Sequence, residues 1–183
     1  MSMNTVPERL AALRAAMKAN GVDVYLIPVG DPHSSEYLPD HYTSLTYFSG
    51  FHGENSNFVV TMTESAVWAD GRYFVQAEKE IAGTEIQLMR MGEPGVPTAE
   101  EYCGKVLPEG GTLGLCGLTA NCALVNNLKK ELEPSTAASR PCFWRMSCGW
   151  RAVLLARLPR HGSCPRNTPA SPRQKSWSSC AAN

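Results

Sequence analysis

An abrupt change in charge near Pro134 limits how much of this chain can belong to one fold. All 17 acidic residues of the 183-residue sequence precede Pro134, and the same segment contains nine basic residues. The rest of the chain has eight basic residues and no acid, so the two parts carry formal charges of −8 and +8. A shift of this size indicates that different segments obey different constraints. The sequence therefore predicts one domain over 1–133 and a disordered tail over 134–183.

Within 1–133, stretches with helical periodicity alternate with short apolar stretches typical of strands. Helices are predicted over Pro7–Asn20, Gly71–Ile81, Thr98–Val106 and Thr119–Leu132, and strands over Val22–Ile27, Asn57–Met62, Ala66–Ala69, Thr84–Met89 and Thr112–Cys116. The second and third strands are close enough to form a hairpin. Alternating strands and helices favour an α/β fold, and the hairpin makes the sheet mixed, with helices flanking it.

The helix boundaries carry local signals. Gly21 suits the left-handed residue that follows a helix, and Thr98 with Glu101 has the spacing of a capping box. Thr119 is predicted to cap the last helix. Its apolar face is predicted to comprise Cys122, Val125, Leu128 and Leu132.

The composition also limits where the chain can act. No run of about 18 apolar residues is present, so no membrane-spanning helix is predicted. Charged residues interrupt 1–20, which leaves no apolar stretch of the length that a secretion signal needs. We therefore expect a cytoplasmic protein without a membrane partner.

Four segments of the first part resemble, in order, one protein family. They are DVYLIPVGDPHSSEYLPDHYTSLTYFSGFHG (Asp23–Gly53), WADGRYFVQAEKEI (Trp68–Ile81), MGEPGVPT (Met91–Thr98) and VLPEGGTLGLCG (Val106–Gly117). Together they resemble the N-terminal domain of cytosolic Xaa-Pro aminopeptidases, the aminopeptidase P family, which belongs with prolidase and creatinase. The resemblance covers 7–133 without large gaps.

The resemblance implies a creatinase/prolidase-type N-terminal domain with a ribonuclease H-like mixed sheet. In full-length relatives a C-terminal domain holds two divalent metals, usually manganese, and a metal-bridged hydroxide attacks the bond before proline. None of those metal ligands lies in this chain. The resemblance therefore implies a truncated, non-catalytic part with no cofactor of its own, inactive alone, that contributes to the active-site entrance and to dimer contacts in full-length relatives.

Asp70-Gly71-Arg72-Tyr73 follows a predicted strand and opens a predicted helix. In one interpretation Asp70 caps the helix and Arg72 pairs with a nearby acid. In the other, Arg72 reaches the active-site mouth of a partner subunit and offers a planar fork to a substrate carboxylate. Asp70, Arg72, His33 and His52 are therefore the candidate residues for an entrance or a dimer contact.

The loop after the first Gly-Phe pair departs from the family pattern. It reads GFHGENSNFVV over Gly50–Val60, with Glu54 and Asn55 where the family usually has small residues. This departure concerns the shape of a tight turn, and the predicted fold does not depend on it.

Three histidines lie near acidic residues in the first part, which suggests a metal site at first sight. The residues are His33, His41 and His52 with Asp31, Glu36 and Asp40. Histidine and carboxylate are ordinary metal ligands, but this spacing matches no known ligand pattern. No metal is therefore predicted here, and Asp31 and Asp40 are expected to stabilise turns or cap short helices.

The tail does not resemble the family as written. If its gene is read in a shifted frame, the codons of Arg166–Cys180 permit a sequence similar to the family's linker, and those of Cys142–Val153 permit an acidic segment ending in Trp. We interpret 134–183 as the product of a shifted frame. A genuine basic, disordered arm and an arm that binds nucleic acid through Arg and Trp are the alternatives; nucleic acid is not among the expected partners.

Two other functions stay open at this point. The domain could act as a stand-alone binding module that forms a homodimer or pairs with an intact relative. It could also be the non-functional product of a disrupted gene. Peptide substrates are expected only of the full-length family.

Overall fold

The computed structural model describes 5–132 with their side chains, and the backbone of 142–149 and 152–157. Its helices are α1 (Val6–Ala19), α2 (Ser44–Ser49), α3 (Phe74–Glu80), α4 (Ala99–Val106) and α5 (Cys122–Leu132). Its strands are β1 (Val24–Pro28), β2 (Asn57–Thr61), β3 (Ser65–Ala69), β4 (Gln87–Arg90), β5 (Leu113–Leu115), β6 (Cys142–Gly149) and β7 (Ala152–Arg157). Single 3-10 turns cover Asp40–Tyr42 and Gly71–Tyr73.

The strands form one mixed sheet in the order β4-β3-β2-β1-β5-β6-β7. β2 runs antiparallel to both β1 and β3, whereas β5 is parallel to β1 and β4 is parallel to β3. β1, β3, β4 and β5 therefore point the same way, and their carboxyl ends meet at one edge of the sheet. The predicted mixed sheet flanked by helices is confirmed.

The sheet separates two apolar clusters, because successive strand residues face opposite sides. On one side α1, α2 and α3 cover residues such as Tyr25, Phe58 and Val67. On the other side α4 and α5 cover Leu26 and Trp68. All five residues of β1 and of β3 are buried, as expected for strands covered on both faces.

Several local predictions are confirmed. Leu10, Leu13 and Met17 form the buried face of α1, and Gly21 follows that helix with φ +65°. The hairpin of β2 and β3 is present. Thr98 Oγ1 accepts a hydrogen bond from the Glu101 amide, while the Glu101 carboxylate accepts one from the Thr98 amide.

The end of the described domain differs from the prediction in two ways. Thr119 does not cap α5, because it lies in a turn and its hydroxyl donates to the Cys116 carbonyl. Asn121 takes that position, since its side chain accepts from the Leu124 amide. Leu128 and Leu132 lie on the buried face of α5 as predicted, but Leu124 completes that face, while Cys122 is exposed and Val125 only half-buried.

Two further elements were not expected. α2 lies in a segment for which no helix or strand was predicted, and it buries Leu45 and Phe48. The predicted helix over 71–81 begins as a 3-10 turn, and α3 starts only at Phe74. Asp70 holds that tighter turn, as described below.

β6 and β7 lie in the segment for which a disordered tail was predicted. β6 pairs in parallel with β5, with Gly114 opposite Cys142, and β7 returns antiparallel to β6. Aromatic and β-branched residues such as Trp144 and Val153 favour strands in this part of the chain. Disorder of the tail over 134–183 as a whole stays a prediction. The predicted boundary at 133 and the chain beyond 157 lie outside the described residues.

Candidate functional site

A groove of about 700 Å³ opens at the edge of the sheet where the carboxyl ends of β1, β3 and β5 meet. Four segments form it: 29–46 after β1, 52–55 before β2, Arg72 after β3 and 118–121 after β5. Ligands of open α/β sheets usually bind at this edge, and the volume is in the range of small-molecule sites. The groove is therefore the candidate functional site of the described domain.

The wall that follows β1 is fixed by Asp31. Its Oδ1 accepts hydrogen bonds from the amides of His33 and Ser35, both at 2.9 Å, and its residue is only 7% exposed. These hydrogen bonds, led by those from Ser35, hold the pKa of the Asp31 carboxyl below its usual value. The prediction that Asp31 stabilises a turn is confirmed, because its carboxylate accepts hydrogen bonds from the backbone of the loop after β1.

The opposite wall presents Arg72, which Asp70 holds from behind. Asp70 Oδ1 accepts hydrogen bonds from the Arg72 amide at 3.0 Å and from Arg72 Nε at 3.2 Å. Hydrogen bonds from the Arg72 backbone and side chain lower the pKa of the Asp70 carboxyl. Arg72 lines the groove with its side chain 65% exposed, whereas Asp70 does not line it. The capping and pairing interpretation is thus confirmed by geometry, and it leaves Arg72 facing the groove.

His52 is held in a similar way. Its amide donates to Glu80 Oε2 at 2.8 Å, its Nδ1 lies 3.4 Å from Glu80 Oε1, and Gln76 donates to the same Oε1. His52 lines the groove and Glu80 does not. The groove therefore contains His52 and Arg72, whereas the carboxylates that contact them, Glu80 and Asp70, lie outside it.

The segment between His52 and β2 contains two unusual backbone positions. Gly53 has no room for a side chain, because a Cβ there would lie 2.0 Å from Cζ of the fully buried Phe51. Asn55 has φ +47°, in the left-handed region, which Asn tolerates better than most residues. Its Nδ2 donates to Asp70 Oδ2 at 3.4 Å. Asn55, which departs from the family pattern, thus contacts Asp70, the residue that holds Arg72.

Of the predicted site residues, the groove brings together His52 and Arg72, with Asp70 directly behind. His33 is not among the lining residues and contributes its backbone amide to the Asp31 turn. Sequence analysis missed Tyr37 and Leu118, which line the groove with 82% and 40% of their surfaces exposed. Only the pairing of β5 with β1 places Leu118 beside the loop after β1.

Within the described residues, no three His, Cys, Asp or Glu side chains converge as a metal ion would require. Asp31 is occupied by backbone amides, and the histidines near it do not gather around it. The two metals that the resemblance implies therefore do not fit these residues. The helices of the part of the chain with described side chains are also too short or too polar to cross a membrane.

Comparison with known proteins decides the family. A family model described as the Creatinase/Prolidase N-terminal domain matches residues 9–145. The chain belongs to this family. The match ends at residue 145, twelve residues beyond the predicted end of the domain at 133.

Curated relatives are aminopeptidase P-type proteins. The chain is 46% identical to Aminopeptidase P2 of Arabidopsis thaliana over 112 residues, which are 60% of this chain and 16% of that protein. It is 37% identical to a probable Xaa-Pro aminopeptidase P of Sordaria macrospora over 133 residues, 73% of this chain and 21% of that protein. The chain thus spans about a fifth of the relatives it matches, and it corresponds to the N-terminal domain of aminopeptidase P-type proteins.

Solved structures agree with this assignment. The X-prolyl aminopeptidase of Caenorhabditis elegans, described as a cytosolic enzyme with a di-nuclear active site, matches with a TM-score of 0.67 and 30% identity over 75% of this chain and 24% of that one. The N-terminal domain of the cytoplasmic peptidase PepQ of Mycobacterium tuberculosis matches with a TM-score of 0.52 and 24% identity, over 74% of this chain and 92% of that domain. The second likeness concerns the fold alone.

Proposed function

We propose that this chain is the non-catalytic N-terminal domain of a manganese-dependent Xaa-Pro aminopeptidase, and that its groove forms part of the peptide entrance or of the dimer contact. The observation that carries the proposal is the position of His52 and Arg72 on one groove at the carboxyl edge of the sheet. Each is held from behind by a carboxylate, so each is presented outward in a fixed direction.

The groove also has the mixed surface that a peptide requires. Tyr37 and Leu118 offer apolar surface, while Arg72 offers guanidinium nitrogens and Glu36 and Glu54 offer carboxylates. Such a combination can accommodate both the charged groups and the side chains of a short peptide. Catalysis itself, the metals and the hydrolysis of the bond before proline belong in this proposal to the C-terminal domain of full-length relatives.

The first test of the proposal is catalytic. The purified 183-residue chain is incubated with Ala-Pro-Ala, with and without added manganese, beside an intact Xaa-Pro aminopeptidase as the positive control. We expect the positive control to release alanine and the chain to release none. Manganese-dependent release by the pure chain, at a rate that follows the protein through chromatography, would contradict the non-catalytic role.

The second test concerns the partner. Sedimentation of the chain, alone and with an intact aminopeptidase P, measures homodimerisation and pairing. We expect a complex that Arg72→Ala or His52→Ala weakens if the groove forms the contact. A complex that neither substitution affects would place the contact elsewhere and would favour a binding module with another surface.

We also propose that 134–183 results from a shifted reading frame and that the protein acts in the cytoplasm. Resequencing the gene tests the first point, because a single inserted or deleted base should restore the family sequence. An unbroken frame would leave the tail as a genuine basic arm. Fractionation of the source cells tests the second point.

A further inference from the structure

The contact between Asn55 and Asp70 connects the segment that departs from the family pattern to the base of Arg72. Asn55 precedes β2 and Asp70 follows β3, so the two residues come from adjacent strands at the same edge of the sheet. Asp70 uses Oδ2 for Asn55 and Oδ1 for the amide and Nε of Arg72. One carboxylate thus joins both segments.

The geometry leaves a specific part of Arg72 available. Nε is occupied by Asp70, while the structure gives the two terminal nitrogens no hydrogen bond among the residues it describes. Arg72 Cζ also lies 5.4 Å from the ring centre of Tyr73. With Nε fixed and the plane supported by a ring, the terminal nitrogens form a fork suited to a carboxylate.

The backbone conformation of Asn55 is unfavourable, and contacts of the next residue hold the turn in place. A left-handed backbone is unfavourable for a residue with a Cβ, although Asn is among the residues that tolerate it best. Ser56 Oγ donates to the Glu54 carbonyl, and the Ser56 carbonyl accepts from the Val29 amide, so the turn is held on both sides of Asn55. In this turn the Asn55 side-chain amide lies 3.4 Å from Asp70 Oδ2.

We propose that Asn55 is a positioning residue: through Asp70 it fixes Arg72 so that its terminal nitrogens bind the C-terminal carboxylate of a short peptide in the groove. The ligand class follows from the groove, which pairs this fork with the exposed apolar surfaces of Tyr37 and Leu118. The peptide part rests on the proposed function, whereas the positioning part rests on hydrogen bonds within the domain.

The experiment uses the full 183-residue chain and follows the Nε–H signal of Arg72 by NMR. Asn55→Gly removes the amide and keeps the backbone, because glycine adopts the left-handed region freely. We expect the Nε–H of Arg72 to exchange with water several-fold faster in Asn55→Gly and faster still in Asp70→Asn. Glu78→Gln is the matched control, since it removes a carboxylate from Arg90, an exposed arginine outside the groove.

Binding is then measured with Ala-Pro-Ala and with its C-terminal amide as probes. We expect the free acid to bind more tightly than the amide, Arg72→Lys to abolish the difference, and Asn55→Gly to weaken acid binding about threefold, short of the tenfold that loss of a full charged hydrogen bond produces. Glu78→Gln should bind like the wild type.

The outcomes separate the two parts of the proposal. Unchanged exchange at Arg72 Nε in Asn55→Gly, in a variant with wild-type thermal stability, would overturn the positioning role. Faster exchange in a chain that binds acid and amide equally would support positioning and overturn the carboxylate site. If the chain passes the sedimentation test with an intact relative but binds neither peptide, the entrance contact stands and the peptide ligand is wrong.

Discussion

Arg14 on α1 donates from Nε to the main-chain oxygen of Thr61 at the end of β2, across 2.9 Å. Its Nη2 donates to the carboxylate of Glu85, which also accepts from the Ser65 hydroxyl. Arg14 is not part of the apolar face of α1, yet its side chain is only 16% exposed. One guanidinium therefore joins the first helix to the β2–β3 turn and to the segment that leads into β4.

Arg14→Lys should weaken this connection without removing the charge. An ammonium is a compact point donor and cannot reproduce the fork that reaches an oxygen of the backbone and a carboxylate at once. We expect the free energy of unfolding to fall by about 1–2 kcal/mol in urea titrations. Lys18→Arg, on the exposed side of the same helix, is the control and should change little; an equal loss there would indicate a general effect on α1.

The same ion pair predicts a pH dependence. The hydrogen bond from Arg14 lowers the pKa of Glu85 in the folded protein, with a smaller effect from Ser65. The pair therefore stabilises the fold above the unfolded pKa of about 4.3, and this stabilisation is lost as the pH falls through the folded pKa. We expect the stability difference between wild type and Glu85→Gln to be largest near neutral pH and to shrink below about pH 4. A difference that stays constant with pH in urea titrations would contradict this account.

Gly114 in β5 should not accept a side chain. A Cβ there would lie 2.7 Å from Cδ2 of Tyr25 and 2.9 Å from Cγ1 of Val22, both buried. Gly114→Ala is expected to lower the free energy of unfolding by about 1–3 kcal/mol because the packed residues must move. Gly71→Ala is the matched control, since the nearest atom to its Cβ would be 3.9 Å away. Equal thermal stability of the two variants would show that the side chains around β5 can move to accept the added methyl group at little cost.

The cysteines of the described domain should differ in reactivity. Cys103 is buried and its burial raises the pKa of the thiol, whereas Cys122 is exposed at the start of α5. Since the thiolate is the reactive form, iodoacetamide should label Cys122 in the native protein and Cys103 only after unfolding. Peptide mass spectrometry of native and urea-treated samples measures this. Early labelling of Cys103 would indicate local opening between α4 and the sheet.

Predictions from the sequence succeeded where the signal was local. The capping box of Thr98 and Glu101 and the buried face of α1 depend on residues within one or two turns, so spacing alone was enough. The cap of α5 shows the limit of such local signals, because Thr119 was predicted and Asn121 takes that position. Both residues are good caps, and the turn that follows Cys116 decides between them.

The groove could not be predicted in the same way. His52 and Arg72 were candidates because of their motifs, but Tyr37, Leu118 and Asn55 join them only through the strand order. Gly30 and Thr119, for example, lie far apart in sequence, yet a Cβ on Gly30 would lie 3.4 Å from the Thr119 carbonyl oxygen. Such proximity follows from the parallel pairing of β1 with β5, which no short spacing encodes.

That pairing also determines the order in which the domain can fold on the ribosome. β2, β3 and β4 all leave the exit tunnel before β5, so one edge of the buried strand β1 stays unpaired until 113–115 have been made. The Thr112 amide must then find the Asp23 carboxylate across 89 positions, at 2.8 Å. Synthesis of those residues takes on the order of 5–20 s at typical rates. During that interval the nascent chain exposes an apolar strand edge, which is open to pairing with other chains on the same messenger.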